Sequence, residues 1–160
     1  VNDPQEEVRD TAVRVLGEWP DAAAAAGLLN LAKTSASNKH KILALRGYIR
    51  LIGHRALPAG QKLAMCREAI ALAERNEEKR LVLGALGGIH QLESLALVVP
   101  SLDDPTLKDE AAAAAVSIGL RLADARPAEV AEAMKRVLKV TQNQTLQKRA
   151  QEVLGRVEKR

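Results

Sequence analysis

One short helical phrase recurs five times along the chain and limits its folding more than any other feature. It reads VRDTAVRVLG from Val8, HKILALRGYI from His40, EKRLVLGALG from Glu78, LKDEAAAAAV from Leu107 and LQKRAQEVLG from Leu146. Superposed, the phrases place Ala12, Ala44, Val82, Ala111 and Ala150 at one marker position, with spacings of 32, 38, 29 and 39 residues. A period near 35 residues in helical sequence is the mark of a helical solenoid, whose units cannot bury their own apolar faces and stack on one another. Such an architecture moves the search for function from a catalytic pocket to an extended surface.

The markers imply an all-α fold of about four and a half two-helix units. The phrases supply second helices at 6–18, 39–53, 77–89, 106–123 and 144–158, with first helices between them at 21–33, 58–75, 92–101 and 127–141. Trp19-Pro20-Asp21 ends one helix, and Asp21 is placed to cap the next. The polar loop Thr34–Asn38 ends in an N-cap, and Pro58, Pro105 and Pro127 fall where a first helical turn tolerates proline. In helix 39–53 the residues Ile42, Leu45, Tyr48, Ile49 and Ile52 gather on one face. Leu63, Cys66, Ile70 and Ala73 do so in 58–75, and Val130, Met134, Val137 and Leu138 in 127–141.

A chain of 160 residues with no linker-like stretch is expected to be one domain, 1–160. Phe is absent, and Trp19 and Tyr48 are the only aromatics, a composition suited to close helix packing by small residues. No apolar run reaches the roughly 18 residues of a membrane span. Val1-Asn2-Asp3-Pro4 carries no initiating Met and no secretory signal, so the chain is expected to be a fragment of a larger protein. Cys66 is the single cysteine; on an apolar helix face it reads as a buried structural thiol, and alone it leaves the redox compartment open.

These residues carry a resemblance. Asp3-Pro4 before Val8-Arg9, Ala12 and Leu16-Gly17 is similar to the HEAT-type repeat pattern, and Asp103-Asp104-Pro105 before Leu107-Lys108 and Ala111 looks like a second copy. Repeat 2 departs from it, with Tyr48-Ile49 where repeats 1, 3 and 5 have Leu-Gly, and Gln147 replaces the basic residue of repeat 5. The stretch from Glu78 to Gly119 also resembles HEAT-like segments of large secreted bacterial proteins, some of which carry sugar-hydrolase-like or cytochrome-like modules. The resemblance implies a right-handed α-α superhelix with the second helices lining its concave face, and a scaffold role. It implies a periplasmic or extracellular location; without it, cytoplasmic is the default.

Residues for chemistry are sparse. His40, His54 and His90 lack the partners of a zinc site, and there is no HExxH or CxxC motif, so neither metal nor cofactor is expected. Gly84, Gly87 and Gly88 lack the Lys-Ser/Thr ending of a phosphate loop. Asp103 and Asp104 read as turn and cap residues. The basic column Arg9, Lys41, Lys79 and Lys108 reads as pairing with turn acids, which in similar arrays ties neighbouring units together, with ligand contact as the alternative.

Charge distribution is the stronger signal. Net charge is only +4, yet no acid lies between Ala22 and Arg67, a window holding Lys33, Lys39, Lys41, Arg46, Arg50, Arg55, Lys62 and Arg67. On helix 39–53, Lys39, Arg46, Arg50 and His54 face away from the apolar stripe, and Arg14 is the repeat-equivalent of Arg46. This face reads either as a solvated basic surface or as a binding surface for an acidic partner, because like charges so concentrated repel one another unless something compensates. Gly84 and Gly88 occupy equivalent positions further along, as though leaving a groove floor bare, whereas close approach of a neighbouring helix explains Gly87. The expected partner surface is therefore Arg14, Lys39, Arg46, Arg50 and His54, with Tyr48 in support and Gly84 and Gly88 as floor.

The leading expectation is a non-enzymatic interaction scaffold whose basic face binds an acidic peptide segment or a neighbouring domain. The alternative is a nucleic-acid-binding domain with a groove like that of HEAT-like DNA-repair glycosylases; two aromatics give base stacking almost no platform. An enzyme resembling the HEAT-like bilin lyases rests on fold analogy alone.

Overall fold

The computed structural model describes residues 3–159; the opening Val1-Asn2, read above as mid-chain sequence, lies outside the described residues. Among the described residues there are nine α-helices and no strand: α1 Glu6–Glu18, α2 Ala24–Thr34, α3 Asn38–Ile52, α4 Ala59–Leu72, α5 Asn76–Gly87, α6 Leu92–Val98, α7 Lys108–Leu122, α8 Pro127–Val140 and α9 Gln144–Glu158. The chain divides into two compact units, Val1–Leu81 and Val82–Arg160, with the boundary inside α5. Among the described residues no helix is long and apolar enough to cross a membrane.

The helix ends follow local chemistry. The Ser37 side chain caps α3 by accepting from His40 N–H, and Asn143 caps α9 by accepting from Thr145 and Leu146 N–H. Asp21 makes a tight turn instead of a cap, accepting from Ala23 N–H at 2.9 Å, and α2 starts at Ala24. Pro105 lies in a turn before α7, where Asp104 accepts from Thr106 N–H at 2.8 Å, so the helix expected from 106 begins at Lys108. The helix expected over 92–101 is α-helical only to Val98 and continues as a 3₁₀ turn, Val99–Asp103. Pro100 is the reason, because it offers no N–H to the carbonyl four residues back.

In the first unit, α3 packs against α1, α2 and α4. Its core is built from Val13, Leu28, Ala44, Tyr48, Leu51, Ile52, Leu63 and Cys66. One expected core residue is displaced: Ile70 is 40 % exposed, while Met65 and Ala69 are buried. The buried arc of α4 centres nearer Ala69 and Ala73, leaving Ile70 at its rim. In the second unit, α7 packs against α6, α8 and α9, around Val82, Leu86, Leu102, Val116, Ile118, Met134 and Val137.

The recurring phrase has a physical basis in these packings. Ala44, Val82, Ala111 and Ala150 are fully buried at the marker position, and Ala12 is half-buried. Five residues beyond the marker stand Gly17 and Gly87. A Cβ on Gly47 would lie 2.7 Å from Gly17 Cα, and one on Gly87 would lie 3.2 Å from Ala114 Cα. Gly47 and Ala114 are themselves equivalent, each three residues past its marker. Six residues past the marker, Arg50 and Ser117 both donate to the carbonyl beneath that crossing: Arg50 to Gly17 O at 2.9 Å and Ser117 to Gly87 O at 2.9 Å. One crossing in each unit therefore uses the same register and the same anchoring position.

Candidate functional site

Above the Gly17–Gly47 crossing lies a shallow cleft of about 190 Å³ lined by Val13, Arg14, Gly17, Glu18, Leu43, Arg46, Gly47 and Arg50. It gathers three of the expected partner-binding residues, Arg14, Arg46 and Arg50, in the first unit. Helix geometry places them: Arg46 and Arg50 are one turn apart on α3, and Arg14 projects from α1, whose axis the glycines draw close. The three arginines thereby line the same cleft.

Two of these guanidiniums are held in place from within. Arg46 Nε donates to Glu78 Oε1 at 2.7 Å, and Glu78 is almost completely buried. Arg50 uses Nε and Nη2 on the Gly17 carbonyl at 3.1 and 2.9 Å, and Nη2 also reaches the Trp19 carbonyl at 2.7 Å. These bonds satisfy carbonyls at the open C-terminal end of α1. They use only part of each five-donor fork, so each guanidinium keeps N–H groups directed elsewhere. Arg14 is exposed and has no hydrogen bond or ion pair among the described residues.

The acid-free window is therefore compensated across helices. Asp10 pairs with Lys39 and lies 2.6 Å from His40 Nε2; Glu68 pairs with Lys33 at 3.8 Å; Glu78 pairs with Arg46. The Lys39 hydrogen bond, followed by that of His40, pulls the Asp10 carboxyl from its ordinary 3.8 down to about 2. Lys39 thus belongs to a local ion cluster with Asp10 rather than to the arginine cleft.

The remaining expected residues are placed differently. Tyr48 is buried in the first core, its hydroxyl donating to Glu68 at 2.5 Å, so its ring does not offer the surface contact expected of it. Burial, then the Glu68 hydrogen bond, raises the phenol well above its ordinary 10.0. His54 sits in the turn after α3 and accepts from Ala56 N–H at 3.3 Å. Gly84 and Gly88 belong to the second unit. Both are exposed, and a Cβ on Gly84 would meet nothing within 4 Å. Gly88 lies just past the end of α5 rather than inside a helix.

Of the basic column, Arg9 donates to the Asp3 and Pro4 carbonyls of its own entry turn at 2.7 and 2.8 Å, instead of bridging to a neighbouring acid. Lys41, Lys79 and Lys108 form no ion pair among the described residues. Asp104 makes a turn, as expected, and Asp103 pairs with Arg136 at 2.8 Å. Cys66 is buried, and desolvation pushes its thiol from 9.0 up to about 12. No group of three or more His, Cys, Asp or Glu among the described residues is placed to hold a metal ion.

Sequence reasoning missed Gly47, Glu78 and Asp10. Gly47 carried a readable signal, since a glycine inside a helix costs about 1 kcal/mol relative to Ala. Glu78 and Asp10 gave none, because charge was read in a linear window and their partners lie 32 and 29 residues away. Compared with family models, with curated proteins and with solved structures, the chain gives no match.

Proposed function

We propose that the chain is a non-enzymatic interaction module of the HEAT type, whose arginine-lined cleft binds an acidic segment of another protein or of a neighbouring domain. The observation that carries this reading is the convergence of Arg14, Arg46 and Arg50 on one cleft floored by Gly17 and Gly47. Two pre-positioned forks lose little side-chain freedom when a carboxylate arrives, and such charge-assisted, bidentate contacts are the stronger class of hydrogen bond. A floor without side chains lets an extended backbone approach closely. The nucleic-acid reading has less support, because Lys39 and Arg46 already face Asp10 and Glu78, which weakens the continuous positive field that a phosphate backbone needs.

The test is binding of a fluorescent Glu/Asp-rich peptide, followed by anisotropy, against a Lys-rich control and a duplex DNA. The wild-type chain should bind the acidic peptide alone, and Arg14→Glu should weaken it roughly tenfold, the value of one charge-assisted contact. Arg14 is the right position because reversing it breaks no internal bond. Equal binding by Arg14→Glu and wild type, or no binding by wild type, ends this reading; a steep loss of duplex affinity with salt would favour the alternative.

A further inference from the structure

An apolar groove of about 330 Å³ lies in the second unit between α6 and α8. Leu95 and Ala133 form its buried floor, Leu92 and Val99 are half-buried, and Ala96 and Pro100 are exposed. On α6, Leu92, Leu95, Ala96 and Val99 follow the i, i+3, i+4, i+7 spacing of one helix face. On α8, Glu129, Glu132, Ala133 and Arg136 follow it too. Each stripe spans about two turns, so the trough is on the order of 10 Å long. Pro100 accounts for the opening. It ends α6 in the 3₁₀ turn Val99–Asp103, and that turn, more than α6 itself, packs on α8. Both helices are interior to the chain and rest on α7.

The wall on α8 has a definite charge. Arg136 is committed to Asp103 of the 3₁₀ turn at 2.8 Å. Glu132 and Glu129, one and two turns before it, form no ion pair or hydrogen bond among the described residues. Glu129 stands in the first turn of α8, where the positive end of the helix favours an acid. Glu132 lies beyond that turn and gains nothing from it. The groove therefore presents two uncompensated carboxylates beside apolar surface, in a chain whose net charge is +4.

We propose that this groove seats an amphipathic helix of a partner protein, with apolar side chains one turn apart on its buried side and Lys or Arg on the flank that meets Glu129 and Glu132. The occupant is helical because both walls are helices, whose backbone groups are already bonded to one another. An extended segment would find no strand edge and would leave its own peptide groups unpaired, whereas a helix satisfies them internally. A trough of two turns takes two apolar anchors at i and i+4. The carboxylates select the sign of the flank: basic side chains gain charge-assisted contacts there, and acidic segments and phosphates are repelled. None of these residues lines the arginine cleft, so either reading survives loss of the other.

Fluorescence anisotropy with the whole chain is the test, using helical peptides of about fifteen residues. One carries two leucines a turn apart with lysines beside them, and the other has serines in place of the leucines. The leucine peptide should bind wild type, and the serine peptide, which amounts to a plain Lys-rich control, should bind at least tenfold more weakly. Ala96→Lys fills the groove at an exposed position and should cut affinity for the leucine peptide at least tenfold, with helicity and melting unchanged. Glu132→Lys should cut it at least fivefold. Arg14→Glu should leave it unaltered, which separates this result from the fate of the arginine cleft. No binding by wild type, equal binding of the two peptides, or full binding by Ala96→Lys or Glu132→Lys would each overturn the proposal. So would self-association that Ala96→Lys abolishes, since the groove would then belong to a second copy.

Discussion

Gly47 crosses Gly17 so closely that a methyl group added to Gly47 would come within 2.7 Å of the Gly17 Cα and 3.0 Å of its carbonyl oxygen. Both opposing atoms are backbone, so neither can swing aside. The crossing brings Arg14 beside Arg46 and Arg50 and places the Gly17 carbonyl under the Arg50 fork. One contact of small residues thus sets both the helix packing and the candidate site.

Gly47→Ala should therefore force α1 and α3 apart and lower stability by about 1–3 kcal/mol, the usual range for an overpacked contact. Gly84→Ala, whose Cβ meets open space within α5, should raise stability by up to about 1 kcal/mol through helix propensity. Urea denaturation of the two variants beside wild type checks the opposite signs.

Arg46→Ala should destabilise by about 1–3 kcal/mol, because it strips the nearest donor from the buried Glu78 carboxylate. Arg75, whose Nε lies 3.7 Å from Glu78 Oε2, softens the loss. The double variant Arg46→Ala with Glu78→Gln should recover part of it. A double-mutant cycle by thermal melting measures the coupling.

The Asp10 carboxyl is held at about 2 in the folded chain, against an ordinary value of 3.8. A carboxyl with a depressed folded value binds protons more readily once the chain unfolds. Its contribution is therefore fully present above about pH 4 and is lost as pH falls toward 2. Melting curves between pH 6 and pH 2 should show wild type losing stability in that window more steeply than Asp10→Asn.

Buried groups should report on unfolding. The Cys66 thiol, pushed up to about 12 and enclosed, should resist a thiol reagent at pH 8 in the native chain and react at once in denaturant. Tyr48, the single tyrosine, should give no tyrosinate absorbance near pH 10 until the chain unfolds. Reaction of native Cys66 at the rate of a free thiol would contradict the packing of α4.

Helix positions were legible in the residues because they are set locally. Caps, prolines and the spacing of apolar side chains act within a turn or two, and among the described residues all nine expected helices fall within three residues of the observed ends. Gly87 was correctly read as a close approach, since only a neighbour explains the cost of a helical glycine. Ile70 was misplaced because periodicity gives the angle of an apolar face but not how far along the helix its cover extends.

By itself the sequence determined which segments are helical, since that follows from short-range sterics and the period of apolar residues. Only the tertiary structure decided what the charges do. Lys39, Arg46 and Arg50 look unopposed in the chain, yet Asp10, Glu78 and the Gly17 carbonyl meet them once α3 packs on α1 and Glu78 comes within reach of Arg46. Coulomb and hydrogen-bond partners are selected by distances of a few ångströms in space, and residues some thirty positions apart acquire those distances only through packing.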